Sequence, residues 1–519
     1  MSYLPHHAIE TPQKPAVISA STGETVTFKQ LDERSNQLAQ LFHARGLNRG
    51  DHIAVLMENN LRFYDCIWAA FRSGLYITPV NRYLPPDQAA DIINDCGAKA
   101  LVTSHANRQT AEGMNDLIPE CTIRLMADAT TAGWQSYEDA VADMPAEPLA
   151  EAWMGAFMLY SSGTTGRPKG ILRPLPNIAA AEGFAQRQVS NAFGYDAGTI
   201  YLSPAPLYHG APVAGCLDVQ SRGGTVVMME RFDAEQALRM IEKHQVTHSQ
   251  WVPTMFVRMM KLPEDVRARY DLSSHKLAIH AAAPCPVDVK RRMIEWWGPI
   301  LFEYYAGTEG TGATSITSED WLEHPGSVGR ASIWRGGIAT TLHICDDDGN
   351  ELPAGGEGLI YFEREQPTFE YHNDPEKTRQ ARHPRHVNWN TLGDVGYLDE
   401  EGYLYLTDRK AFMIISGGVN IYPQQIEDVL ISHPKIGDIA VFGVPDSEMG
   451  EQIKAVIEPA PGLEPTEELA AELMEFARSK LAHYMAPRSI EFIEEMPRLP
   501  TGKLYKRALR DSYWQGRKI

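Results

Sequence analysis

The sequence predicts an α/β protein, with a large N-terminal domain of helix-flanked β-sheets and a small α+β C-terminal domain. Three observations lead there. Helix-like and strand-like segments alternate from the start to about residue 400, the pattern of parallel sheets covered by helices. The character then changes near "LTDRKAFMIISGG", after which short elements make up a module of about 110 residues, within the usual size of a domain. Finally, 43% of the 519 residues are hydrophobic, enough for more than one buried core.

In chain order, Thr27 and Gln30 form a capping box before "QLDERSNQLAQLFHARG". Leu31, Leu38, Leu41 and Phe42 follow at helical spacing, and Gly46 is a natural stop. "DHIAVLM" reads as a buried strand, "RFYDCIWAAFRSG" as a helix and "KALVTS" as a further strand. "GTVVMM" and "DAEQALRMIEKHQ" repeat the strand–helix scheme. "TLHICDDDGNEL", with Asp-Gly-Asn between two β-prone runs, reads as a hairpin. In the last module, Pro423 suits the first turn of a helix. "DIAVFGVPD" and "IKAVIEP" read as strands, and Thr466 caps a helix whose Glu467 and Glu468 sit favourably against its dipole. The domain boundary falls at about Arg409, giving 1–408 and 409–519.

Composition excludes several classes. The net charge of −19 argues against nucleic-acid binding, which needs a basic surface to displace phosphate counterions. Six scattered cysteines form no CxxC pair and no zinc-ligand spacing. No uncharged apolar run approaches the ~20 residues that span a bilayer, and the N-terminus lacks the regions of a signal peptide. A cytoplasmic protein without an integral membrane segment is the expectation.

The stretch "SSGTTGRPKG" (161–170) cannot pack a core. Its spacing excludes the G-x-x-x-x-G-K-S/T phosphate loop, since Gly170 follows Lys169 where Ser or Thr should stand. Phosphate chemistry survives that exclusion. Glycines let backbone N–H groups approach an anion, hydroxyls add donors and a lysine adds charge.

Further segments follow in order: "PLYHGAP" (206–212), "AAAPCP" (281–286), "EYYAGTEG" (303–310), "TLGDVGYLD" (391–399), "DRKAFMIISGG" (408–418) and "LPTGKLYKR" (499–507). Together with "SSGTTGRPKG" this set resembles the signature of the adenylate-forming superfamily: acyl-CoA synthetases, peptide-synthetase adenylation domains and luciferases. It looks nearest to bacterial fatty-acyl and related acid–CoA ligases. The resemblance covers nearly the whole chain. It implies a small β-barrel-like part within the N-terminal domain and a mobile C-terminal domain.

The resemblance also implies roles. Ser161, Gly163, Thr164, Thr165, Gly166 and Lys169 hold the β- and γ-phosphates of ATP. Ala282, Ala283 and Pro284 border the adenine, and Tyr305 stacks on it. Thr308 bonds the α-phosphate, Glu309 holds Mg²⁺, and Asp394 accepts the ribose hydroxyls with Arg409 assisting. Lys503 reaches the substrate carboxylate during adenylation. His209 lies beside the acyl pocket, and Ser416, Gly417 and Gly418 turn toward the pantetheine tunnel of coenzyme A after the C-terminal domain rotates. Three departures stand out: Ala411 replaces a charged hinge residue, His280 with three alanines replaces a Ser- and Gly-rich turn, and Ala306 stands where glycine is common.

The expected function is ATP-dependent ligation of a carboxylic acid to CoA through an acyl-AMP. Phe256, Met255 and Val213 favour an apolar pocket and hence a medium- or long-chain fatty acid or a bulky apolar one, whereas Trp251 reads as core. The alternative is transfer of the acyl group to a carrier protein or other acceptor. A non-catalytic homologue is disfavoured because Lys503, Glu309 and Asp394 are all present. The resemblance also admits a homodimer.

Overall fold

The computed structural model describes residues 3–161, 169–189, 191–331, 340–409, 412–416, 419–446, 448–498 and 504–514. Two sheets dominate the N-terminal part. A six-stranded sheet is parallel throughout, in the order Gln135–Ser136, Ile123–Ala127, Ala98–Ser104, His52–Leu56, Tyr76–Pro79, Ala156–Phe157. A nine-stranded sheet has a parallel centre that runs Leu301–Ala306, Leu277–His280, His248–Trp251, Ile200–Ser203, Thr225–Met228, Pro15–Ser19. Antiparallel strands close both of its edges.

The local signals hold. Phe28–Ala44 is a helix with the full capping box, Gln30 N donating to Thr27 Oγ1 at 3.2 Å and Thr27 N to Gln30 Oε1 at 2.9 Å. Arg62–Ser73 is the apolar helix, ended by Gly74 in the left-handed conformation at φ 67°. It buries Phe63, Ile67, Trp68 and Phe71, each contributing roughly 1.5–3 kcal/mol of burial energy. One expectation changes. Asp346–Asn350 does turn, but its second arm is a single bridge, Cys345 to Glu351; the long partner of Thr341–Cys345 is Gly358–Glu363. Pro353 and the glycines after it interrupt the near arm, so pairing resumes further along.

The part expected to be barrel-like is a four-stranded antiparallel sheet, in the order Thr341–Cys345, Gly358–Glu363, Trp389–Leu398, Leu404–Arg409. A smaller antiparallel sheet joins Leu159–Ser161, Lys169–Leu172 and Glu370–Tyr371. The last module has its own five-stranded sheet, built on the Ile436–Asp446 and Gly450–Pro459 pair. Its core of Ile426, Leu430, Ile439, Ile457 and Leu473 is separate from the rest. Lys261 joins the two parts, donating to the carbonyls of Ile436 at 3.2 Å and Gly437 at 2.5 Å. All six cysteines are free thiols. Among the described residues no helix is long and apolar enough to cross a membrane.

Candidate functional site

Three parallel strands of the large sheet end on the same side, because parallel strands share a direction. Ile200–Ser203 leads to His209, Leu277–His280 to the turn at Ala282–Pro284, and Leu301–Ala306 to Thr308 and Glu309. The carboxyl ends of parallel strands are where open α/β sheets hold ligands, since the following loops diverge there.

At one side of this crevice the Tyr305 hydroxyl donates to Asp394 Oδ2 at 2.6 Å, across 89 residues of sequence. Asp394 is 6% exposed and sits directly opposite Arg409 in the register of its antiparallel pair. Tyr305 is half-buried, with its ring 5.8 Å from Phe362. The expected base-stacking tyrosine, ribose carboxylate and accompanying arginine position therefore converge.

The Thr308–Glu309 turn is held from outside by the smaller sheet. Arg173, just beyond Lys169–Leu172, donates from Nη2 to the Thr308 carbonyl at 2.6 Å. Tyr371 donates from its hydroxyl to Glu309 Oε1 at 2.8 Å. Glycines flank these contacts. Gly310 lies at φ 68°, and a side chain there would strike Arg173, while a Cβ on Gly307 would come within 2.9 Å of Glu309 Oε2.

Lys169 opens the strand beside Tyr371, its Nζ 5.3 Å from the centre of that ring. Burial and the neighbouring Lys377 bring its pKa down to about 8, opposed by Asp374 and Glu309. Two ammonium groups side by side, one partly desolvated, form a place for an anion. His209 is the residue before the helix Gly210–Ser221, half-buried, its ring 4.4 Å from that of Tyr208. The next residue, Gly210, passes close to the turn: a Cβ there would meet Leu159 at 2.6 Å and lie 4.0 Å from Thr308 Cγ2.

The alanine turn is strained at one residue. Ala282 has φ 79°, a left-handed conformation costing an alanine roughly 1–2 kcal/mol and a glycine almost nothing. Ala282 and Ala283 are exposed, and Pro284 half-buried, at the mouth of the crevice. Behind it, His280 is fully buried and neutral, burial and the charge of Lys290 pushing its pKa well down.

Phe256 is plain core, ringed by Trp251, Trp297 and His280; Met255 shares that cluster, and Trp251 is core as the sequence suggests. Val213 belongs to a different cluster, with Tyr201 and Leu207. Gly163, Thr164, Thr165, Gly166, Ala411, Gly417, Gly418 and Lys503 lie outside the described residues. Ser161 ends its strand at the register of Lys169, and Ser416 ends Ile414–Ser416 at the register of Gly450. Sequence reasoning passed over Tyr371, Arg173 and Lys377. Asp374 and Pro375 do signal a helix start there, and Asp374 caps it by accepting from Lys377 N. Nothing local connects that segment to a turn 62 residues earlier.

The segments gathered here are those of a known protein family. The description "AMP-binding enzyme" matches residues 4–372, and its C-terminal domain matches 425–503. The chain belongs to the AMP-binding enzyme family. Among curated AMP-binding enzymes it is 31% identical to the long-chain-fatty-acid–CoA ligase FadD13 of Mycobacterium tuberculosis, over 98% of this chain and 97% of that one. It is 30% identical to the fatty acid–[acyl-carrier-protein] ligase ScoC of Streptomyces coeruleorubidus, over 98% and 95%. Among solved structures, ATP-bound MatB from Rhodopseudomonas palustris superimposes with a TM-score of 0.79 at 26% identity, over 98% and 97%.

Proposed function

We propose that this AMP-binding enzyme is an ATP-dependent acid–CoA ligase. The carboxylate oxygen of the acid attacks the α-phosphorus of ATP and pyrophosphate leaves. The thiolate of coenzyme A then attacks the acyl carbonyl and AMP leaves. The first step turns a poor electrophile into a good one; the protein's task is to bring anions together and neutralise charge.

The observation that carries this reading is the convergence of Tyr305, Asp394, Thr308, Glu309 and Lys169 from separate segments onto one crevice. Tyr305 and the Ala282–Pro284 turn hold the base, and Asp394 with Arg409 holds the ribose. Lys169, with Ser161, Gly163, Thr164, Thr165 and Gly166, holds the departing phosphates, while Thr308 meets the reacting one. Mg²⁺ fits Glu309: a hard cation that keeps its waters needs one carboxylate plus substrate phosphates. Bound there, the cation would offset charge on the triphosphate.

His209, next in sequence to Gly210, borders the acyl pocket in this reading. With Phe256 in the core, the preference for a fatty or bulky apolar acid rests on relatives named as fatty-acid ligases. In our reading residues 409–519 form the mobile domain that presents Lys503 for the first step, and Ser416, Gly417 and Gly418 for the second.

The test is acid-dependent pyrophosphate release across a panel of acids, with and without CoA. Acyl-CoA as product supports the ligase, and Lys503→Ala should abolish adenylation while sparing thiolysis of preformed acyl-AMP. ScoC gives a second reading its footing. If acyl-AMP forms, CoA yields no thioester and a carrier protein is loaded instead, that reading replaces the first.

A further inference from the structure

Glu309 is 9% exposed, yet among the described residues no lysine or arginine forms an ion pair with it; its Oε1 accepts from the Tyr371 hydroxyl at 2.8 Å. Its other oxygen, Oε2, lies against Gly307, where an added Cβ would come within 2.9 Å of it and strike Leu392 Cδ2. Tyr371 is itself firmly placed, although its strand is only two residues long. It pairs with Ile171, its own N–H donates to Thr378 Oγ1 at 2.9 Å, and the next N–H, of His372, donates to the Gly170 carbonyl at 2.8 Å. Its ring packs edge-on against buried Phe369, with Lys169 over its face.

We propose that Tyr371 is a positioning residue: it fixes the Glu309 carboxylate in the orientation that takes a divalent cation, and ties that carboxylate to the strand bearing Lys169. This rests on the reading of Glu309 as the cation's ligand. The physical reason is that a single carboxylate on a turn rotates about three torsions. A neutral hydroxyl donor restrains the rotation without cancelling the charge, where an arginine or lysine partner would do both. The hydrogen bond uses one lone pair of Oε1, and the carboxylate's other lone pairs are left for the metal. Groups that orient ligating side chains in this way typically contribute 10–100-fold to metal affinity. The same tyrosine sets the relative position of the phosphate lysine and the metal carboxylate, the two charges that must meet one triphosphate.

The experiment measures ATP binding by calorimetry with no acid present, so that no turnover occurs, in EDTA and in Mg²⁺. The wild type, Tyr371→Phe, Glu309→Gln and the double variant are compared. Tyr371→Phe should bind ATP in EDTA within about twofold of wild type but lose about tenfold of the gain that Mg²⁺ brings. Glu309→Gln should lose that gain, and adding Tyr371→Phe to it should cost nothing more. A full Mg²⁺ gain in Tyr371→Phe, or an equal loss with and without Mg²⁺, overturns the proposal. A wild-type protein with no Mg²⁺ gain, or a Glu309→Gln variant that keeps it, overturns the reading of Glu309 as well, and is thereby told apart. Should Tyr371→Phe not fold, a structure of the wild type with Mg²⁺ and ATP decides. A Tyr371–Glu309 hydrogen bond kept beside the metal supports the proposal, and a hydroxyl turned away overturns it.

Discussion

Two glutamates six positions apart have opposite surroundings. Glu303, inside the strand Leu301–Ala306, is buried against Lys290, which is itself fully buried and lies 4.8 Å from the centre of the Trp321 ring. Burial raises its pKa and the Lys290 ammonium works against that rise. Glu309, past the end of the same strand, is held by a tyrosine hydroxyl beside the partly desolvated Lys169. Inside the sheet, charge is matched in place and serves the scaffold. At the strand's carboxyl end charge is left for a ligand to complete, and the fold restrains its direction instead. Neutralisation, more than burial, separates the two roles.

The scaffold side of the contrast is tested first. Lys290→Met leaves Glu303 buried without its cation and should cost about 3–5 kcal/mol in urea unfolding. Lys290→Met with Glu303→Leu should recover most of that loss. A single-variant cost below about 1 kcal/mol would erase the contrast. Next, Glu309→Gln should lower acid-dependent ATP–pyrophosphate exchange by roughly 100-fold while changing stability by less than about 1 kcal/mol. An equal fall in stability would make Glu309 a second scaffold residue.

The smallest effect is a pH profile. Phosphate binding needs Lys169 protonated, and in the free protein that proton is lost near pH 8 because burial and Lys377 lower its pKa. As pH rises through 8, kcat/KM for ATP should therefore fall about tenfold per unit, since this ratio reports groups of the free enzyme. Lys169→Arg, which stays charged, should flatten the fall. A wild-type profile flat to pH 10 would mean that Lys169 keeps an ordinary lysine pKa or does not carry the phosphate contact.

Class, alternation of elements and helix caps are all legible in the amino-acid order. Those signals are local: the Thr27–Gln30 box closes within three residues, and the apolar face of Phe28–Ala44 repeats every turn. The amino-acid order also marked Tyr305, Glu309 and Asp394 as a set, through the resemblance of their motifs. The partners come from the three-dimensional packing. Tyr305 finds Asp394 across 89 residues and Tyr371 finds Glu309 across 62. That packing also made Lys290 the scaffold's buried cation and Phe256 a core residue. Such pairings depend on strand order and register, which place distant segments side by side, and no local periodicity encodes that order.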